Sequence, residues 1–192
     1  VASGFFSLSN RDHIFRGFVM QEQAEDLKFP DGDITPSEYD RERFDLGYSY
    51  RRGDHEFSID FARNNTKDAG TASLPMDILS IDSDLFRSRY TWEGDDRILT
   101  AEFSASDNEH WMTNYHLRRP PQDNMMTAGG MRYRRNWAVS ENYGMALKME
   151  QFVDNGSWLY GVDSHQSTHR STITNPNAAP FYIGNFNDAQ RQ

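Results

Sequence analysis

The feature that most constrains the fold of this chain is an alternation of apolar and polar side chains with a period of two residues. Between residues 43 and 51 the even positions carry Phe44, Leu46, Tyr48 and Tyr50, whereas the odd positions carry charged residues, serine or glycine. Successive side chains of a β-strand point to opposite faces, so this segment predicts a strand with one apolar face and one polar face.

The alternation recurs in pairs of segments that are separated by short turns at 52–55, 93–96 and 154–157. Glycine beside aspartate or asparagine, as found in these turns, is typical of tight hairpins. The pattern predicts three β-hairpins, and a further strand near residues 4–8 brings the total to about seven antiparallel strands. The apolar residues that we expect to point to lipid are Phe44, Leu46, Tyr48, Phe57, Ile59, Phe61, Phe103, Met145 and Leu147.

The lengths of the connections alternate as well. The short turns are followed by long polar stretches near 10–42, 64–83, 107–142 and from 168 onward. Soluble barrels and sandwiches mostly have short loops at both ends, whereas outer-membrane barrels have short turns at one end and long loops at the other. This asymmetry favours an all-β fold made of transmembrane β-barrel hairpins, of which this chain would form an open part.

The composition excludes several other classes of protein. The mean hydropathy of -0.84 is too low for a helical membrane span, although a transmembrane barrel passes this test because only alternate positions are apolar. A net charge of -9 argues against a nucleic-acid partner, and the absence of cysteine removes disulfides and thiolate zinc sites. No nucleophile elbow, phosphate loop or zinc-protease helix occurs, so the sequence does not predict an enzyme.

The predicted polar face carries many charges, which would be costly to bury unpaired in a dry core. A wet or plugged barrel interior accommodates them, and aromatic residues near strand ends, such as Tyr50, Trp92 and Trp158, resemble an interfacial girdle. A soluble β-sandwich binding module remains the alternative of another class, because a sheet with one solvated face has the same alternation. The charged residues of this face are Asp45, Glu56, Asp60, Arg87, Arg89, Glu102, Lys148 and Glu150.

Three stretches of the chain resemble a known family. They are AGTASLPMDI at 69–78 with DLF at 84–86, HWMTNYHLR at 110–118, and GVD at 161–163 leading to HR at 169–170. In these stretches the chain resembles the barrel portion of TonB-dependent outer-membrane receptors, particularly the copper receptors.

The resemblance implies a place in the bacterial outer membrane and uptake of a scarce metal, with energy delivered by TonB through a plug domain. Barrels of this family have about 22 strands. We therefore expect residues 1–192 to be a partial barrel domain that lacks the plug, the TonB box and the C-terminal strands.

The segment 107–142 concentrates soft and imidazole ligands. Thioether sulfur favours Cu(I) and imidazole suits either oxidation state of copper, so these residues form a chemically coherent set for a transported copper ion. Methionine is also an adaptable apolar filler, and no spacing here defines a closed site. The candidate metal ligands are His110, Met112, His116, Met125, Met126 and Met131. We predict no resident cofactor.

A ferric siderophore or another metal chelate is the alternative ligand. Aromatic and arginine side chains would bind such a chelate, and the residues concerned are Trp111, Tyr115, Arg118 and Arg119. Met76 is a further candidate ligand, whereas His165 and His169, about 13 Å apart along a strand, are expected to be unpaired surface histidines.

Overall fold

The computed structural model describes residues 1–30, 32–34, 37–70, 77–113 and 135–174, and every regular element among them is a β-strand. The strands are β1 (Ala2–Ser9), β2 (His13–Ala24), β3 (Leu27–Phe29), β4 (Gly32–Ile34), β5 (Tyr39–Arg52), β6 (His55–Ala69), β7 (Asp77–Glu93), β8 (Arg97–Thr113), β9 (Arg135–Val153) and β10 (Gly156–Thr174).

Eight of these strands form one antiparallel sheet in the order β1-β2-β5-β6-β7-β8-β9-β10. Each strand pairs with the next, and the sheet is open rather than closed on itself. Strands β3 and β4 form a separate small hairpin within the connection from β2 to β5. The predicted all-β antiparallel fold is confirmed, with eight strands in the main sheet.

The strand missing from the sequence-based count is β2, which lies inside the stretch expected to be a polar loop at 10–42. Phe15 and Val19 lie on one face of β2, but the apolar residues Phe18 and Met20 lie on the other face. Apolar residues on both faces hide the period of two, and for this reason the alternation did not predict a strand here.

Short turns join the strands at one end of the sheet. The predicted hairpins are confirmed, with Gly53 in the left-handed region at φ 57°. A fourth turn joins β1 to β2, where Oδ1 of Asn10 accepts hydrogen bonds from the backbone N–H groups of Asp12 and His13 at 3.0 and 2.9 Å. Such an Asx turn satisfies backbone donors that the sheet leaves unpaired.

The long connections at the other end are shorter than the polar stretches suggested. Residues 64–69, 77–83, 107–113, 135–142 and 168–174 belong to strands. Apolar alternation ends before the strands do, because polar cross-strand pairs continue the sheet. In one such pair Arg63 Nε lies 3.0 Å from Asp84 Oδ1, and in another Asn65 donates a hydrogen bond to Asp82.

The register places the predicted apolar residues on one face of the sheet. Leu46 lies opposite Phe61, Phe61 opposite Phe86, and Phe103 opposite Met145. All nine residues predicted for this face share it, and the eight predicted charged residues share the other. We call these two surfaces the apolar face and the polar face.

No hydrophobic side chain is buried in the described part of the chain. On the apolar face Leu46 is 43% exposed, Met145 60% and Val162 71%. A β-sandwich buries such residues between two sheets, so a single large sheet with this exposure does not fit the soluble sandwich alternative. Among the described residues, no helix is long and apolar enough to span a membrane.

Ion pairs join different strands on the polar face. Arg16 on β2 reaches across β5 to Asp60 on β6, with 3.5 Å between Nη2 and Oδ1. The residue between them is Gly47, where a Cβ atom would lie 2.6 Å from Oδ1 of Asp60. Glycine therefore makes room for this ion pair to form across the middle strand.

Candidate metal site on the polar face

Apolar side chains cover only the part of the apolar face that lies next to the short turns, and the strands extend beyond this apolar band. Next to the short turns the face is apolar or aromatic over 44–50 of β5, 99–105 of β8 and 143–149 of β9. Beyond this apolar band the same face carries Glu42, Asp84, Asp107 and Glu141. The sheet thus has a lower part with two unlike faces and an upper part in which both faces carry charged residues or other polar groups.

His110 and Met112 lie in this upper part, on β8. The register places His110 opposite Ala138 and Met112 opposite Asn136, which puts both residues on the polar face. Residues two apart on a strand point the same way, with their Cα atoms roughly 6.6 Å apart. An imidazole and a thioether thus project side by side on this face, opposite Ala138 and Asn136 of β9.

The environment of His110 suits a metal ligand. Its Nε2 atom is buried and has no hydrogen-bond partner in the described part of the structure. Burial lowers the pKa of His110, which lies beyond the apolar band, because a charged imidazolium is poorly solvated there. At neutral pH the ring is therefore neutral and keeps the lone pair that a metal ion needs.

The remaining predicted ligands divide into two groups. His116, Met125, Met126 and Met131 lie outside the described residues, as do Tyr115, Arg118, Arg119 and Met76. Trp111 is described and lies on the face opposite to His110 and Met112, since it pairs with Trp137 and follows Glu109 on that face. The structure therefore separates Trp111 from the metal candidates that flank it in sequence.

Comparison with known proteins bears on the fold. No protein-family model matches the chain, and no curated protein matches it. The copper transporter OprC has a similar structure. The two superpose with a TM-score of 0.79 and 19% sequence identity, over 96% of this chain and 29% of the OprC chain. At this identity the likeness establishes a shared fold, and the chain spans less than a third of the OprC length.

Trp111 takes part in a cluster on the apolar side of the upper sheet. The indole N–H groups of Trp111 and Trp137 both donate to Oε1 of Glu109, at 2.8 and 2.6 Å. The two rings lie 6.0 Å apart between centroids, tilted by 46°. Shared hydrogen bonding to one carboxylate holds both indoles in place on the upper strands.

The histidines of β10, which the sequence predicts to be unpaired surface residues, are both exposed and lie on the polar face. His165 lies opposite Gly144, and His169 lies opposite Ser140. His169 has a partner, since its Nε2 is 2.8 Å from Oγ of Ser167. The sequence carried the signal for this placement, because both histidines have the same parity along β10 as Asp163, opposite to that of Tyr160 and Val162.

Among the described residues, no group of three or more histidine, aspartate or glutamate side chains is arranged to hold a metal ion. Within the part of the chain that the structure describes, His110 and Met112 are therefore a pair of candidate ligands and not a closed site.

Proposed function

We propose that this chain is part of an outer-membrane transporter that takes up a scarce metal, with copper as its ligand. The observation that carries the proposal is the placement of His110 and Met112 side by side on the polar face, with the buried Nε2 of His110 unpartnered. The shared fold with OprC, a copper transporter, supports it.

The two faces of the sheet support a location in a membrane. A tilted transmembrane strand needs about 9–11 residues, and strands β8 (Arg97–Thr113) and β9 (Arg135–Val153) are long enough to cross, with the apolar stretches 99–105 and 143–149 on one face. Tyr48, Tyr50 and Tyr90 lie near the short-turn end of this band, where aromatic side chains of a barrel meet the lipid interface. We propose that the apolar face contacts outer-membrane lipid and that the polar face lines the lumen.

The chemistry of the two ligands favours Cu(I). Thioether sulfur is a soft donor that binds Cu(I) in preference to hard ions, and a neutral imidazole binds copper in either oxidation state. Because two protein ligands leave the ion accessible, such a site can release the metal to the next ligand. In a receptor of the family that the sequence resembles, TonB would drive this release through a plug.

A ferric siderophore or other metal chelate is the second candidate ligand. It would rely on aromatic and arginine groups, of which Trp111 is described. Trp111 faces away from the lumen proposed here and is bonded to Glu109, so this observation favours the bare ion over the chelate.

The test is a titration of the full-length protein with Cu(I) in competition with a chelator of known affinity. The variant carrying His110→Ala and Met112→Leu should bind Cu(I) at least about tenfold more weakly, since loss of even supporting groups around a metal costs 10–100-fold. Leucine keeps the apolarity and approximate volume of methionine, so packing should be preserved.

Matched controls come from the opposite face. Met145→Leu and His55→Ala make the same chemical changes among residues of the apolar face, and Cu(I) affinity should stay as in the wild type. Equal affinity of the wild type and the His110→Ala, Met112→Leu variant would remove this pair from the site and would favour the chelate instead.

A further inference from the structure

Arg52 lies at the end of β5, on the apolar face and beside the short turn that leads to β6. It follows Tyr50 of that face by two residues and pairs in register with His55, which pairs with Trp92 of β7. Arg52 is exposed, and within the described part of the chain it has no hydrogen bond or ion pair. An unpaired cation therefore borders the apolar band on the side of the short turns.

The neighbouring residue Arg51 projects from the polar face and is neutralised there. Its Nη1 atom lies 3.8 Å from Oε2 of Glu56, and its Nη2 atom lies 3.5 Å from Oε2 of Glu93. The polar face thus supplies carboxylates for its own arginine. On the apolar face, the described residues supply none for Arg52.

Aromatic side chains lie beside Arg52 along the same edge of the band. Nδ1 of His55 and the hydroxyl of Tyr90 are hydrogen-bonded at 2.8 Å, and the two rings stack with their centroids 6.0 Å apart. A Cβ atom at Gly94 would lie 3.1 Å from the Trp92 ring, so this indole extends toward the turn that follows β7. Rings with a polar tip occupy the headgroup level of membrane proteins. Arg52 therefore lies at the level where a barrel meets lipid headgroups.

The short turns form a layer further from the apolar band, and this layer is acidic. Asp54, in the turn after Arg52, is exposed and has no side-chain partner among the described residues. Its backbone oxygen accepts a hydrogen bond from the backbone N–H of Glu93 at 2.8 Å, which ties the turn to β7. The four turns 10–12, 53–54, 94–96 and 154–155 contain one arginine, Arg11, and five aspartates, Asp12, Asp54, Asp95, Asp96 and Asp154. Going outward from the band, Arg52 comes first and carboxylates follow.

We propose that Arg52 and Asp54 bind the headgroup of a zwitterionic phospholipid of the phosphatidylethanolamine type; this inference rests on the proposed function, which places the apolar face in lipid. In such a headgroup the phosphate lies next to the acyl chains and the ammonium lies further out, which matches the order of the two side chains. A guanidinium binds phosphate oxygens through parallel N–H donors. The acidic layer attracts the ammonium and repels a headgroup that carries only negative charge.

The experiment measures binding of short-chain phosphatidylethanolamine, phosphatidylcholine and phosphatidylglycerol to the full-length protein in detergent, by native mass spectrometry. All three lipids carry a phosphate, so Arg52→Gln should weaken the binding of each by about fivefold. Arg51→Gln is the matched control, because it removes the adjacent arginine from the other face. It should bind phosphatidylethanolamine within about twofold of the wild type.

The ammonium contact has a separate test. Asp54→Asn keeps the size and the turn preference of the residue but removes its charge. Phosphatidylethanolamine should bind about two- to fivefold more weakly to this variant, whereas phosphatidylglycerol, which has no ammonium, should bind at least as well as before. Asp54→Lys should reverse the order of the two lipids. Heat-modifiable mobility in gels verifies that each variant is folded.

Two results would overturn the headgroup site. One is an equal affinity of Arg51→Gln and Arg52→Gln for phosphatidylethanolamine, and the other is an Asp54→Asn variant that keeps the wild-type affinity for this lipid. Neither result affects the copper titration of the His110→Ala, Met112→Leu variant, which tests the metal site. A full-length protein that stays dissolved without detergent would instead overturn the membrane location, and the proposed function would fail with it.

Discussion

A lysine placed on the apolar face tests whether that face meets lipid. Ile59 lies five residues beyond Asp54 of the short turn, on the same face as Leu46 and Phe61. Five residues of strand span about 17 Å, and a tilt of about 40° reduces this to a depth of about 13 Å. That depth is the middle of an apolar band about 25 Å tall.

Lysine near the midplane of such a band destabilises a membrane barrel by about 2–4 kcal/mol, because its ammonium group has to leave water. We therefore expect Ile59→Lys to lower the free energy of folding into lipid vesicles by this amount. The assay is a guanidinium titration of the full-length protein in vesicles, followed by tryptophan fluorescence.

Ser58→Lys is the matched control, one residue away on the polar face. Its neighbours on the same face are Glu56 and Asp60 along β6 and Arg89 directly opposite on β7, so an added cation meets charges of both signs on a face that water reaches. The expected cost is about 1 kcal/mol or less. A cost at Ile59 no greater than that at Ser58 would refute the assignment of the two faces.

Three further predictions concern other parts of the chain. Gly161→Ala should destabilise the protein by about 1–3 kcal/mol, because its Cβ would lie 2.4 Å from the backbone oxygen of Leu147. Gly47→Ala should destabilise it less, since the flexible Asp60 side chain can move away from the added Cβ. The guanidinium midpoints of unfolding of the two variants compare the two costs. Replacing Met112, Met125, Met126 and Met131 together with leucine should weaken Cu(I) binding and leave siderophore binding nearly intact, as titrations with each ligand would show. Hydrogen bonds from the backbone of Ser37 and Glu38 hold the pKa of Asp26 below its ordinary value. These hydrogen bonds should persist at neutral pH and be lost as the pH falls through that lowered pKa. Hydrogen exchange of the Ser37 and Glu38 amides should detect the loss in the wild type on acidification and in Asp26→Asn at neutral pH.

The sequence predicted the lower part of the sheet well for a physical reason. Where one face is apolar and the other polar, as in 43–51 and 56–61, the period of two is visible and fixes both the strand and its faces. Strand β2 was not predicted, because Phe18 and Met20 place apolar side chains on the polar face and hide the period of two.

The upper part of the strands was predicted poorly because the apolar signal ends there. Above the band both faces are polar, and cross-strand pairs such as Arg63 with Asp84 hold strands that resemble loops in sequence. The same loss of the apolar signal limited the prediction of the metal ligands. His110 and Met112 were identified by their chemistry, but their shared face, and the opposite face of Trp111, became clear only once 107–113 proved to be a strand.

The most direct test of the central claim is a crystal structure of the full-length protein grown with Cu(I), with anomalous scattering recorded at the copper edge. We predict a copper peak on the polar face of β8, between Nε2 of His110 and Sδ of Met112. Full occupancy at a position remote from both residues, with Nε2 of His110 left unliganded, would contradict it.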